Sequence, residues 1–146
     1  MLKTSKKPKK KSSKTLRAKC LEAAQKLARI SAANEHGMVE CVSCGIWGHY
    51  KEFHGGHFLA KGSCRRWALR LENIHPQCHG CNMFGMSHKT AAPSYTLWMI
   101  DWYGRDFVDN MISTKNEPIK LYKKDYEEML KDFNEQIKFH ERRICG

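Results

Sequence analysis

Cys41-Val42-Ser43-Cys44 and Cys78-His79-Gly80-Cys81-Asn82 bracket the stretch that decides how this chain folds. Each Cys-x-x-Cys turn offers two sulfurs from one short knuckle, and zinc takes four ligands in a tetrahedron. Two knuckles therefore close one four-thiolate site on Cys41, Cys44, Cys78 and Cys81 and tie off residues 45–77 between them. With every position taken by a thiolate no place is left for water, so this zinc is structural.

The tied-off segment carries chemistry. It holds Gly55-Gly56-His57-Phe58 and Asn73-Ile74-His75, and Asn82 follows the last cysteine. Residues 55–59 and 73–77 read as short strands, and a short helix is expected from Met83 to His88. The expected fold is α+β, a small zinc-held strand–strand–helix core flanked by N- and C-terminal helices.

The rest of the chain frames this core. Its 146 residues suit one domain with a modest core. Residues 1–13 are expected to be a basic disordered tail and 14–146 a single domain, with the zinc and site core over 38–92 and a helical part over 93–146. Seven cysteines, four of them in knuckles, favour metal binding in a reducing compartment over a disulfide framework. Cys20 reads as a core residue; Cys64 and Cys145 receive no role. No apolar run approaches the roughly 20 residues that span a bilayer, and the basic N-terminus lacks the apolar region of a signal peptide. A cytoplasmic place is expected, with no membrane partner.

The formal net charge of +11 points to a polyanion, most simply nucleic acid. Residues 1–19 hold nine basic residues, Lys9, Lys10 and Lys11 among them, and no acid. Lys61, Arg65, Arg66 and Arg70 crowd a second stretch around Trp67. Both are candidate phosphate contacts, with a solvated tail and a solvated loop around one buried Trp as the plainer alternatives.

Helical periodicity marks the flanks. A helix is expected over Lys14–Asn34, with Leu16, Cys20, Ala23, Leu27 and Ile30 on one face, Ser13 or Thr15 as its cap and Gly37 past its end. Tyr95–Tyr103 ends at Gly104, Arg105–Ser113 follows, and Pro118 breaks the chain. The last helix spans Leu121–Arg142 with a stripe of Tyr122, Tyr126, Met129, Phe133, Ile137 and His140. That stripe, or Leu16, Leu27 and Ile30 of the first helix, is either an internal packing face or the seam of a homodimer.

In strand–strand–helix metal nucleases a strand histidine deprotonates water and an asparagine fixes its orientation. A residue at the helix start holds a divalent ion that offsets charge on the phosphate and leaving oxygen. His57, Asn73 and Asn82 fit these three roles in order.

The strings Gly56-His57-Phe58 and Arg70-Leu71-Glu72-Asn73-Ile74-His75-Pro76-Gln77-Cys78-His79-Gly80-Cys81-Asn82 resemble the phage recombination endonucleases of the NinG (Rap) family. These are related in design to recombination endonuclease VII and the broader HNH group. The resemblance covers about Cys41–Ser113 and weakly the last helix. It implies a divalent-metal-dependent, structure-selective endonuclease that hydrolyses branched DNA such as Holliday junctions and D-loops, with magnesium or manganese. One departure stands out. The family has an acidic residue three positions before the base histidine, and this chain has His54. An imidazole suits manganese or softer ions better than magnesium. His54 is thus a candidate ligand of the catalytic ion beside Asn82, provided Gly55-Gly56 forms a bulge that turns both imidazoles to one side. Glu72 is the nearest carboxylate substitute, and His75 is a candidate phosphate contact.

A zinc-stabilised nucleic-acid-binding module without catalysis explains the cysteines and the charge equally well. It leaves the spacing of His57, Asn73 and Asn82 to accident. A zinc deaminase is excluded: no His-x-Glu exists, and Gln77 stands between Pro76 and Cys78.

Overall fold

A computed structural model describes residues 15–145, with the side chain of Cys145 left out. The expected tail over residues 1–13, with Lys9, Lys10 and Lys11, lies outside the described residues. Helix α1 runs Leu16–Ala32, strands β1 and β2 cover Met38–Glu40 and Trp47–His49, and strands β3 and β4 cover His54–His57 and Ile74–Gln77. Helices α2, α3 and α4 follow over Ala92–Tyr103, Arg105–Ser113 and Lys123–Cys145. The architecture is mixed α+β, built on two antiparallel hairpins, β1–β2 and β3–β4.

Helix α1 starts where Thr15 accepts a hydrogen bond from the Ala18 N–H at 3.2 Å, a side-chain cap for an orphan donor. It ends at Ala32, earlier than its periodicity predicts. Asn34 Oδ1 accepts from the N–H groups of His36 and Met38, which closes a turn there instead of another helical turn. Gly37 serves that turn at φ +77°, where a Cβ would also strike His49. Cys20, Ala23, Leu27 and Ile30 are buried as the periodicity requires.

The partner of that face is α4. Phe133 and Ile137 are buried with Leu27 and Ile30 in one cluster, and Met129, Leu130 and Ile144 pack at its edge. Lys26 adds an ion pair to Glu141 at 2.9 Å. Of the two stripes considered for a homodimer seam, Leu27 and Ile30 of the first thus pack on Phe133 and Ile137 of the second within the chain, while Tyr122 of the second stays exposed.

A second cluster lies on the other side of β3–β4. Val42, Trp67, Tyr95, Met99, Val108 and Met111 are buried in it. The hairpin that carries the candidate site is thus wedged between two cores. Its pairing is continuous: His54 with Gln77, Gly55 with Pro76, Gly56 with His75, His57 with Ile74. The bulge expected at Gly55-Gly56 does not form. The two glycines instead permit close approach, because a Cβ on Gly55 would strike the α1 backbone at Gln25 and one on Gly56 would strike Gln77 Oε1. After β4 the chain makes a π-type helical turn over Cys81–Gly85 rather than a helix beginning after Asn82. Among the described residues no helix is long and apolar enough to cross a membrane.

Candidate functional site

The first knuckle is closed by backbone. Cys41 N–H donates to Ile46 O at 2.8 Å and Gly45 N–H to Cys41 O at 2.9 Å, with Gly45 at φ +79°. The Cys44 N–H points at the Cys41 sulfur, 3.5 Å away. The second knuckle leaves β4 directly, and Asn82 N–H closes on Cys78 O at 3.0 Å. All four sulfurs lie within 4.8 Å of one another. Cys44 and Cys78 sulfurs are 3.7 Å apart. Zinc–sulfur bonds of ~2.3 Å in a tetrahedron separate sulfurs by about 3.8 Å, so the cluster fits a zinc ion. Burial and the sulfurs of Cys78 and Cys41 hold the Cys81 thiol well above its usual range, so four thiolates here call for a cation among them.

His57 ends β3. Its Nε2 lies 2.8 Å from the Ala68 carbonyl, which can only accept. The neutral ring therefore carries its proton on Nε2 and leaves Nδ1 as an acceptor. Burial pulls the His57 pKa below the usual histidine value; the Ala68 carbonyl opposes this, and Lys61 and Arg17 reinforce it. A histidine that is neutral with one bare nitrogen has the form a general base needs.

Asn73 is buried, but it does not touch that imidazole. Its Oδ1 accepts from Leu59 N–H at 2.8 Å and its Nδ2 donates to Leu59 O at 2.9 Å. The expected orienting contact is thus corrected. Ala68 orients the ring, and Asn73 clips the backbone two residues beyond it.

Paired residues in an antiparallel hairpin share a face, so His54 with Gln77 faces one way and His57 with Ile74 the other. His54 meets the turn after the second knuckle. Its Nδ1 is 2.9 Å from Asn82 Nδ2 and its Nε2 is 3.2 Å from His79 Nδ1. Burial lowers the His54 pKa, and His79 and Arg29 add to it. Glu72 does not join this group: it is 3.6 Å from Arg70 and lines a separate cavity of about 920 Å³ with Trp98, Trp102 and Tyr103.

His75 is no surface phosphate contact. It is buried against Trp98, with ring centroids 4.5 Å apart. Tyr95 donates to Gly56 O at 2.7 Å, so His75 Nδ1–H donates to the Tyr95 oxygen at 3.1 Å and Tyr103 O–H donates to Nε2 at 2.8 Å. Burial pulls the His75 pKa down to about 4. Tyr95, Tyr103 and Ala68 are the partners that sequence reasoning missed; a buried-strand reading of Ile74–Gln77 would have pointed to partners for His75.

Residues 2–143 match the family described as Bacteriophage Lambda NinG protein. This chain belongs to the NinG family. No curated protein and no solved structure matches it.

The basic residues of this NinG chain divide into two sets. Lys61 and Arg65 are exposed, and neither makes an ion pair among the described residues. Arg66 pairs with Glu117 at 2.6 Å, and Arg70 pairs with Glu72 and lies over the Trp67 ring, 5.3 Å from its centroid. Trp67 itself is buried and donates to Thr114 Oγ1 at 3.0 Å, so it holds the loop from inside and is not a stacking platform for bases.

Proposed function

We propose that this NinG-family protein is a metal-dependent endonuclease that hydrolyses phosphodiesters in branched DNA, Holliday junctions and D-loops included. The observation that carries the reading is His57, a half-buried imidazole with its Nε2 proton committed to Ala68 O at 2.8 Å and Nδ1 left as acceptor. His57 takes a proton from water at Nδ1. A divalent ion, magnesium or manganese, supplies charge neutralisation at the phosphate when bound beside His54 and Asn82. The two imidazoles sit three residues apart on opposite faces of β3, without the bulge that would turn both to one side.

The remaining parts serve position and affinity. Zinc on the four cysteines locks the turn carrying Asn82 to the β1–β2 knuckle. Asn73 holds the chain after His57. Lys61 and Arg65 contact phosphates, with Arg66, Arg70 and the basic residues of the N-terminal segment adding charge. The test is cleavage of linear, forked and four-way DNA of the same sequences, with magnesium or manganese. Preferential cutting of the branched substrates is expected. Tight binding with no metal-dependent cutting of any substrate would favour a non-catalytic zinc module instead.

A further inference from the structure

The two ring nitrogens of His54 have different neighbours: Nδ1 faces Asn82 at 2.9 Å and Nε2 faces His79 Nδ1 at 3.2 Å. One ion can take only one of these nitrogens. Metal–nitrogen bonds of ~2.1 Å place two nitrogens of one ion about 3.0 Å apart at a right angle and about 3.4 Å apart at a tetrahedral angle. The His54–His79 spacing lies between these values. We infer that His54 Nε2 and His79 Nδ1 form a two-imidazole site for a borderline transition ion such as manganese, cobalt or zinc, and that Asn82 is a positioning residue behind it.

The chemistry follows from the donor set. Magnesium wants oxygen ligands in a strict octahedron, whereas imidazole suits first-row transition ions. An ion on Nε2 requires the His54 proton on Nδ1. A half-turn of the Asn82 carboxamide presents its oxygen to that proton, which fixes the tautomer and the ring. His79 is exposed and His54 half-buried, so the remaining ligand positions open to solvent. Cys78 and Cys81 on either side of His79 hold its backbone against β3, which gives the zinc knuckle a second task. This inference deepens the nuclease reading at its ion site, but it makes its own claim about binding.

The experiment titrates cobalt(II) and manganese(II) into full-length, zinc-loaded protein. It follows the visible absorption of bound cobalt and the paramagnetic signal of free manganese, with zinc content measured throughout. One ion per chain beyond the structural zinc is expected, poorly displaced by magnesium. His54→Ala and His79→Ala should each weaken it more than tenfold with zinc content unchanged. Asn82→Leu should weaken it by about 10–100-fold and Asn82→Asp, which keeps an acceptor for Nδ1–H, should restore it. Wild-type affinity in His79→Ala, or in Asn82→Leu, would overturn the assignment. So would magnesium binding as tightly as manganese. Loss of DNA cleavage in every form with ion binding intact would sink the nuclease reading and leave this site standing. Normal cleavage in His79→Ala with normal ion affinity would do the reverse.

Discussion

Replacing Asn73 by alanine probes the joint between fold and site. Its carboxamide makes two hydrogen bonds to one residue, 2.8 Å from Leu59 N and 2.9 Å to Leu59 O. Asn73 is 0% exposed, so water does not replace the lost side chain at its own position. Two bonds at a net ~1 kcal/mol each, plus part of the ~1–3 kcal/mol for each Leu59 group left short of a partner, give a loss of about 2–5 kcal/mol. In a chain of this size that lowers the melting temperature by roughly 5–15 °C. Asn73→Asp keeps the acceptor for Leu59 N–H but sets a carboxylate oxygen against Leu59 O, and it should not rescue. Urea unfolding of zinc-loaded protein measures the loss, with an unchanged m-value showing that the same surface unfolds. Below the melting transition, cleavage should also fall, because the clip lies two residues beyond His57. A loss under about 1 kcal/mol in Asn73→Ala would refute the clip, since even one net hydrogen bond is worth that much.

Cys78→Ser should lower zinc content and melting temperature together, and chelation of the wild type should do the same; a protein that carries no zinc and loses nothing on chelation contradicts the four-thiolate site. His75 titrates near 6.5 when unfolded and about 4 when folded. Between those values the unfolded chain binds the extra proton, so stability should fall as pH drops through that window, by up to about 3 kcal/mol. His75→Phe should remove that part of the slope; an identical pH profile in the variant would count against the buried neutral imidazole. Lys61→Ala with Arg65→Ala, and separately deletion of residues 1–13, should reduce the slope of log K against log salt by ~0.9 per lost phosphate contact. An unchanged slope in both would leave the DNA-binding surface unlocated.

The two cysteine knuckles, which fit one zinc ion, and strands β3 and β4 were legible because short-range spacing fixes them. Two Cys-x-x-Cys turns admit one geometry, and strands β3 and β4 follow from the residues they tie together. The face of α1 was legible too, since Cys20, Ala23, Leu27 and Ile30 repeat at helical spacing. Its role was not, because periodicity says that a face is covered without saying by what; α4 covers it. The Gly55-Gly56 pair misled for a related reason. Glycine signals either a bulge or a close approach, and only the packing of Gln25 and Gln77 against β3 decides for the second. His75 and Asn73 carry the same lesson. Alternation along the strand does not tell solvent from a second core, and Tyr95, Tyr103 and Trp98 come from a helix about twenty residues or more further on. His79 lies inside a knuckle whose spacing speaks only for its cysteines, so its approach to His54 is not legible in the sequence.

The central claim rests on His57 as the base, and one comparison tests it most directly. Wild-type and His57→Ala proteins, each with one structural zinc confirmed, are assayed for single-turnover cleavage of a four-way junction at saturating enzyme with manganese, and for junction affinity without cleavage. Cleavage should fall by about 10²–10⁴-fold while affinity stays within about twofold, because the proposed function assigns the phosphate contacts to Lys and Arg and not to His57. A zinc-loaded His57→Ala protein that cuts the junction at the wild-type rate would contradict the account.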